Sequence, residues 1–445
     1  MSFSEHDEYK DSGFQWLRDL PVHWEIKRLT TVCDFQSGKA HEPFIDDDGD
    51  FICVNSRFVS TEGESRKLCT ENLSPAKRDD ILMVMSDLPN GRALAKAFFV
   101  EGDEPYAVNQ RVCIITARDV DARFLYYQLN RNPLFLRHDD GVSQTHLSNA
   151  TFIKFPTIIP PYGEQKAIAS FLDRETSKID TLVSEQRRLV ELLKEKRQAV
   201  ISHAVTKGLD PTVPMKPSGI DWLGDVPQHW AIQRVKNAIR SIEQGWSPQC
   251  ENEPVQSQEQ WGVLKVGCVN YGEFNPEENK ALPDTLMPLP ELTTRSGDLL
   301  ISRANTIELV GSAAVAEQDY PNLMLCDKLY RLRVHRNSML PEFLCYFLNC
   351  KVAREPIELG ASGASPSMKN IAQSVILEMW FAYPGIEEQR RIIDAVRKRW
   401  TQISSLIAEA NRAIALLQER RTALISAAVT GKIDVREIAL EGVRP

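Results

Sequence analysis

The 445-residue sequence has no apolar run near the ~18 residues that cross a bilayer. Its opening, Met1-Ser2-Phe3-Ser4-Glu5-His6-Asp7-Glu8, has neither a basic nor an apolar leader region. A membrane span and a secretory signal are therefore not expected. Nine cysteines are scattered without a Cys-x-x-Cys pair, which predicts neither a disulfide framework nor a zinc cluster and fits a reducing cytoplasm. Gly-x-x-x-x-Gly-Lys-Ser/Thr, Gly-x-Gly-x-x-Gly and His-Glu-x-x-His are all missing. Those gaps argue against a Walker phosphate loop, a dinucleotide fingerprint and a zinc-protease helix, and no metal is expected. What is there is ordinary globular composition, 42% hydrophobic and 26% charged. At roughly 150 residues per domain it makes two or three domains.

Charge is acidic overall, 53 basic against 61 acidic groups, net −8. It is unevenly spread. Residues 1–160 carry 18 basic and 25 acidic groups, net −7, and residues 211–385 carry 15 and 20, net −5. Residues 161–210 (9 and 8) and 386–445 (11 and 8) are net +1 and +3. An acidic chain is a poor non-specific polyanion binder, so any nucleic-acid binding here needs local basic clusters or a basic partner.

The chain repeats itself. Ser12-Gly13-Phe14-Gln15-Trp16-Leu17-Arg18-Asp19-Leu20-Pro21-Val22-His23-Trp24 faces Ser218-Gly219-Ile220-Asp221-Trp222-Leu223-Gly224-Asp225-Val226-Pro227-Gln228-His229-Trp230 with eight identities at an offset of 206. Phe124-Leu125 faces Phe343-Leu344 at 219, Glu164-Gln165 faces Glu388-Gln389 at 224, and Ala204-Val205-Thr206 faces Ala428-Val429-Thr430, still at 224. The offset drifts before Glu164 and then holds. This predicts a duplicated variable domain followed by a duplicated connector of fixed length. The expected boundaries are 1–160, 161–210, 211–385 and 386–445.

Both connectors read as long helices. In the first, Ile168, Leu172, Glu175, Ile179, Leu182, Gln186, Leu189, Leu193, Lys196, Val200 and His203 recur at alternating steps of four and three. In the second, Ile392, Val396, Arg399, Ile403, Leu406, Ala410, Ala413, Leu417, Arg420, Leu424 and Ala427 do the same. Such a heptad seam predicts two helices of about forty residues packed against each other, antiparallel because a globular unit separates them. The alternative is two independent amphipathic helices, each on its own domain. The globular units mix strand-like runs (Ile81–Met85, Arg111–Thr116, Leu299–Ser302, Tyr330–Val334) with helical ones (Phe124–Asn130, Phe343–Cys350), a mixed α/β class. The box tryptophans read as core anchors.

One segment imitates catalysis. Ile159-Pro160-Pro161-Tyr162 is similar to the tetrapeptide of adenine amino-methyltransferases, but that motif starts with Asp, Asn or Ser to accept the target amine's hydrogen bond. Ile159 cannot accept one, and Phe381-Ala382-Tyr383-Pro384 stands at the second place. It reads as a strand end and helix stop.

Taken together, the duplicated variable domains, the Trp-Leu-x-Asp-x-Pro-x-His-Trp boxes and the two helices ending in Ala-Val-Thr resemble the DNA-specificity subunit of Type I restriction–modification systems over nearly the whole chain. The resemblance implies a non-catalytic subunit with two target recognition domains (1–160 and 211–385), each reading half of a bipartite DNA site. It implies a central conserved helix (161–210) and a distal one with a tail (386–445) forming an antiparallel coiled coil in a pseudo-twofold arrangement. That strut spaces the readers and docks two modification subunits, with restriction subunits joining through them. S-adenosylmethionine, ATP and Mg are expected on those partners and none on this chain. Two rival readings stay open, a protein-binding scaffold and a stand-alone adenine methyltransferase.

Base readout wants Arg, Lys, Asn, Gln, Ser or Thr on loops that enter a groove. In the first unit this points to Ser37, Lys39, Asn90, Arg92, Asn109, Gln110, Arg111, Gln144, Thr145 and His146. In the second it points to Gln244, Trp246, Ser247, Arg303, Asn305, Lys328, Ser365, Ser367 and Lys369.

Overall fold

The computed structural model describes residues 4–86, 93–137, 146–257, 259–363, 365 and 368–436. The chain is mixed α/β and divides into two compact units, Met1–Gln186 with Arg412–Pro445, and Arg187–Asn411. The division runs through both long helices instead of falling at their ends, where the sequence suggests boundaries.

The first unit is built on an antiparallel sheet of β1 (Cys33–Ser37), β2 (Ile81–Val84), β3 (Ala97–Phe99) and β4 (Val112–Ala117), in the order β1-β4-β2-β3. Ile81, Met83, Cys113 and Ile115 face one core, and Leu82, Val84, Val112 and Ile114 face another. The strands therefore read as continuous apolar runs because both faces are covered. The helix Ala122–Leu129 packs beside this sheet, capped by Asp121, whose carboxylate accepts from Phe124 N at 2.9 Å. Helix α1 (Tyr162–Lys207) then leaves the strand Pro156–Ile159. At 46 residues it is about 69 Å long.

The second unit holds β5 (Ile239–Gln244), β6 (Leu299–Ser302), β7 (Ala313–Val315) and β8 (Leu329–Val334), antiparallel in the order β5-β8-β6-β7. The helix Pro341–Asn349 lies against it, and α2 (Ile386–Val429) follows the strand Trp380–Tyr383. Trp24 and Trp230 are fully buried, each in a core of its own unit.

Each long helix contributes to both units. In the first, Ile168, Leu172, Ile179 and Val183 of α1 share a cluster with Leu417, Leu424, Ala428 and Val429 of α2. Asp180 accepts from Arg421 at 2.9 and 3.2 Å. In the second, Ile201, Ala204 and Val205 share a cluster with Ile392, Ile393 and Val396. Leu193 and Ile403 are also buried, and Val200 is half-buried. Three expected seam positions are corrected. Leu182, Leu189 and Leu406 are 44%, 43% and 49% exposed, while the neighbouring Val183 and Val190 are buried and Ile407 is half-buried. At about 100° per residue, position 182 lies about 60° to one side of 179 and position 183 about 40° to the other. The core lies on the valine side, so the step from 179 is four, then three, the reverse of the expected order.

Candidate nucleic-acid interface

In the first unit the sheet geometry brings separate loops to one end. β1 stops at Ser37, β4 starts at Val112, and β2 stops at Val84. Beyond Ser37 the chain hugs the turn before β4. Gly38 N donates to Val112 O at 2.9 Å and Lys39 N to Val108 O at 3.0 Å. A Cβ on Gly38 would collide with the Asn109 carbonyl, so this closure requires glycine. Met85 N donates to Arg111 O at 2.8 Å, Leu147 N to Met85 O at 2.8 Å, and Ser86 bridges to His146. Ser37, Lys39, Gln110, Arg111 and His146 are therefore neighbours at this sheet end, and all are exposed.

Asn109 sits in the same place but turns inward, against the expectation that it reads bases. It is buried, its Nδ2 donates to Glu42 Oε1 at 3.0 Å, and its Oδ1 accepts from Gln110 N at 2.6 Å. Both ends of the amide are engaged in shaping the turn, which holds the side chain facing inward. Burial pushes the Glu42 carboxyl up, yet bonds from its own backbone N–H and from Asn109 outweigh this and hold its pKa below the usual range. Asn90, Arg92, Gln144 and Thr145 lie outside the described residues, as does Ser367.

The second unit assembles its candidates at the corresponding sheet end. Gln244 closes β5 opposite Tyr330, Arg303 N donates to Lys328 O at 2.8 Å, and Ile371 N donates to Arg303 O at 3.0 Å. Asn305 pairs with Lys369. Gly245 repeats the close approach of Gly38, since a Cβ there would strike the Leu325 carbonyl. Gln244, Ser247, Lys328 and Ser365 are exposed; Arg303, Asn305 and Lys369 are half-buried. Several are already oriented: Arg303 Nη1 toward Asp327 O (3.3 Å), Gln244 Nε2 toward Asp327 O (3.1 Å), and Lys369 Nζ toward Gly363 O (2.6 Å). Asn305 accepts from Thr306 N at 2.9 Å and donates toward Asn270 at 3.4 Å. Trp246 is half-buried and packs against the cluster of Val263, Leu264 and Leu325.

The family model described as the Type I restriction modification DNA specificity domain matches residues 21–192. The chain is 29% identical over 207 residues to the Type I restriction enzyme EcoEI specificity subunit of Escherichia coli, a match covering 46% of this chain and 35% of that one. It is 23% identical over 446 aligned positions to the Type I restriction enzyme MjaVIII specificity subunit of Methanocaldococcus jannaschii, covering 97% of this chain and 98% of that one. Residues 21–192 thus match the Type I restriction modification DNA specificity domain, and nearly the whole chain is similar to Type I restriction enzyme specificity subunits. The fold agrees. A chain from a structure titled as the basis of complex assembly and conformational transition of the type I R-M system superposes with a TM-score of 0.62 at 18% identity, over 93% of this chain and 99% of that one. None of the described helices is long and apolar enough to cross a membrane.

A pair of contacts in each unit went unforeseen. In the first unit the Glu164 carboxylate accepts from Trp24 Nε1 at 2.9 Å and pairs with His23 Nε2 at 2.8 Å. In the second, Glu388 accepts from Trp230 Nε1 at 3.1 Å and pairs with His229 Nε2 at 2.8 Å. The adjacent glutamines complete the anchor. Gln165 accepts from Asp121 N and donates to Pro160 O, while Gln389 accepts from Leu340 N and donates to Pro384 O. The signal was in the sequence, because His-Trp and Glu-Gln are identities shared by both halves. What was missing was that they meet.

Proposed function

We propose that this chain is a specificity subunit that reads a bipartite DNA site, one half-site with each unit, and docks two modification subunits, through which restriction subunits join. The observation that carries this reading is the convergence, in each unit separately, of polar residues from three loops onto one end of a four-stranded sheet. That supplies a compact set of donors and acceptors for a groove. The two sets differ in sequence, so the half-sites differ. The duplicated box, the like strand order and the like Glu–Trp–His contacts favour a pseudo-twofold repeat. The packing of the first half of α1 with the second half of α2 in one unit, and the reverse in the other, favours an antiparallel coiled coil between the readers. A strut of that kind sets the number of unread base pairs, at about 34 Å per DNA turn.

The exposed Leu182, Leu189 and Leu406 supply apolar surface for the modification subunits. S-adenosylmethionine, ATP and Mg belong to the partners in this reading. Nine free cysteines suit the cytoplasm. The test is Arg303→Ala in the assembled complex: methylation is expected to relax at one half-site alone. Equal loss on cognate and unrelated DNA would contradict base reading by this residue.

A further inference from the structure

We infer that His6, His23 and Glu164 form a binding site for a divalent transition metal of the zinc class. Their ligand atoms lie within 4.8 Å of one another, and among the described residues no other His/Cys/Asp/Glu group has this geometry. They come from three segments far apart in sequence: the stretch before the first strand, the Trp/His-Trp box, and the first turn of α1. No short motif spacing reveals them.

Two independent features point to an ion. The first is an orphan. The His6 side chain is 3% exposed, and among the described residues its Nδ1 has no hydrogen-bond partner. The nearest carboxylate oxygen, Asp434 Oδ2, is 3.8 Å away, beyond bonding distance. A buried nitrogen without a partner is costly and uncommon, and a metal would complete it. The second is the carboxylate's support. Glu164 Oε2 is fixed by the Trp24 indole, which leaves Oε1 turned toward His23 Nε2 at 2.8 Å. An outer hydrogen bond of this kind orients a metal ligand.

The electrostatics suit a dication. Glu164 and Asp434 bring two negative charges, and Arg436 one positive, its Nη1 3.9 Å from Glu164 Oε1. A tetrahedral ion needs its donors about 3.4 Å apart. His23, 41% exposed and 2.8 Å from Glu164 Oε1, would move outward from that contact to reach this spacing, with Asp434 as a fourth ligand if it turns from Arg436. Two imidazoles with carboxylate oxygen favour Zn²⁺, Co²⁺ or Ni²⁺ over Mg²⁺ or Ca²⁺. The second unit is an internal control: its Glu388–His229 pair has no second imidazole beside it among the described residues.

The experiment uses the full chain, stripped with chelator and titrated with Co²⁺. The expected result is one equivalent bound with a tetrahedral d–d absorption, displaced by Zn²⁺, and weakened at least tenfold in both His6→Ala and His23→Gln. His229→Ala should leave it unchanged. Two substitutions on separate segments guard against one that merely unfolds, with circular dichroism as the check on each. Absence of the band in the folded wild-type chain would overturn the site. So would binding unaffected by His6→Ala, or a thiolate charge-transfer band reporting one of the cysteines.

Discussion

A single carboxylate at the start of each long helix holds two aromatic side chains of the box. Glu164 takes the Trp24 indole N–H and the His23 ring, and Glu388 takes those of Trp230 and His229. Because both indoles are buried, removing the acceptor orphans a donor, at a cost of about 1–3 kcal/mol. Glu388→Ala should lower stability by that amount in denaturant unfolding, and hydrogen exchange should place the loss in the second unit. A neutral result would mean the bonds are incidental.

At the reading ends, Arg303 and Lys328 separate two roles. Arg303→Ala should cost about 1–3 kcal/mol at one half-site. Lys328→Ala, an exposed point charge, should weaken binding to all DNA alike and reduce the salt slope by about one. Salt titrations of both variants on cognate and scrambled duplexes distinguish the two. Residue type and loop position were legible in the sequence here, but not direction. Asn109 has the right chemistry and place, yet it faces inward because Glu42 and the Gln110 amide claim it.

At the scale of elements, the two long helices were plain from periodicity, since no proline or glycine interrupts either seam, from Ile168 to His203 or from Ile392 to Ala427. Their faces were not. Leu182-Val183 and Leu189-Val190 are adjacent apolar pairs, and hydrophobicity favours the leucine in each while the cores take the valine. Substitution within one pair decides which lies inside. Val183→Asp places an unpaired charge in a buried position and should cost about 3 kcal/mol or more. Leu182→Asp, on an exposed face, should stay within about 0.5 kcal/mol while weakening capture of the modification subunit in native mass spectrometry. Equal destabilisation by both would return the leucines to the seam.

At the scale of the whole molecule, each four-stranded sheet, with both faces covered, presents loops from three strand ends at one edge, and a long helix starts behind a box that appears twice. The sequence repeat showed the frame, whereas the DNA sequence read is written in loop geometry that no single chain spells out. The most direct measurement is a map of methylated adenines in cells carrying the complete system, with and without this subunit. The account predicts a subunit-dependent motif of two unlike specific blocks separated by a fixed count of unspecified base pairs, with Arg303→Ala relaxing one block. A single unbroken motif, or one in which both blocks relax together, would contradict it.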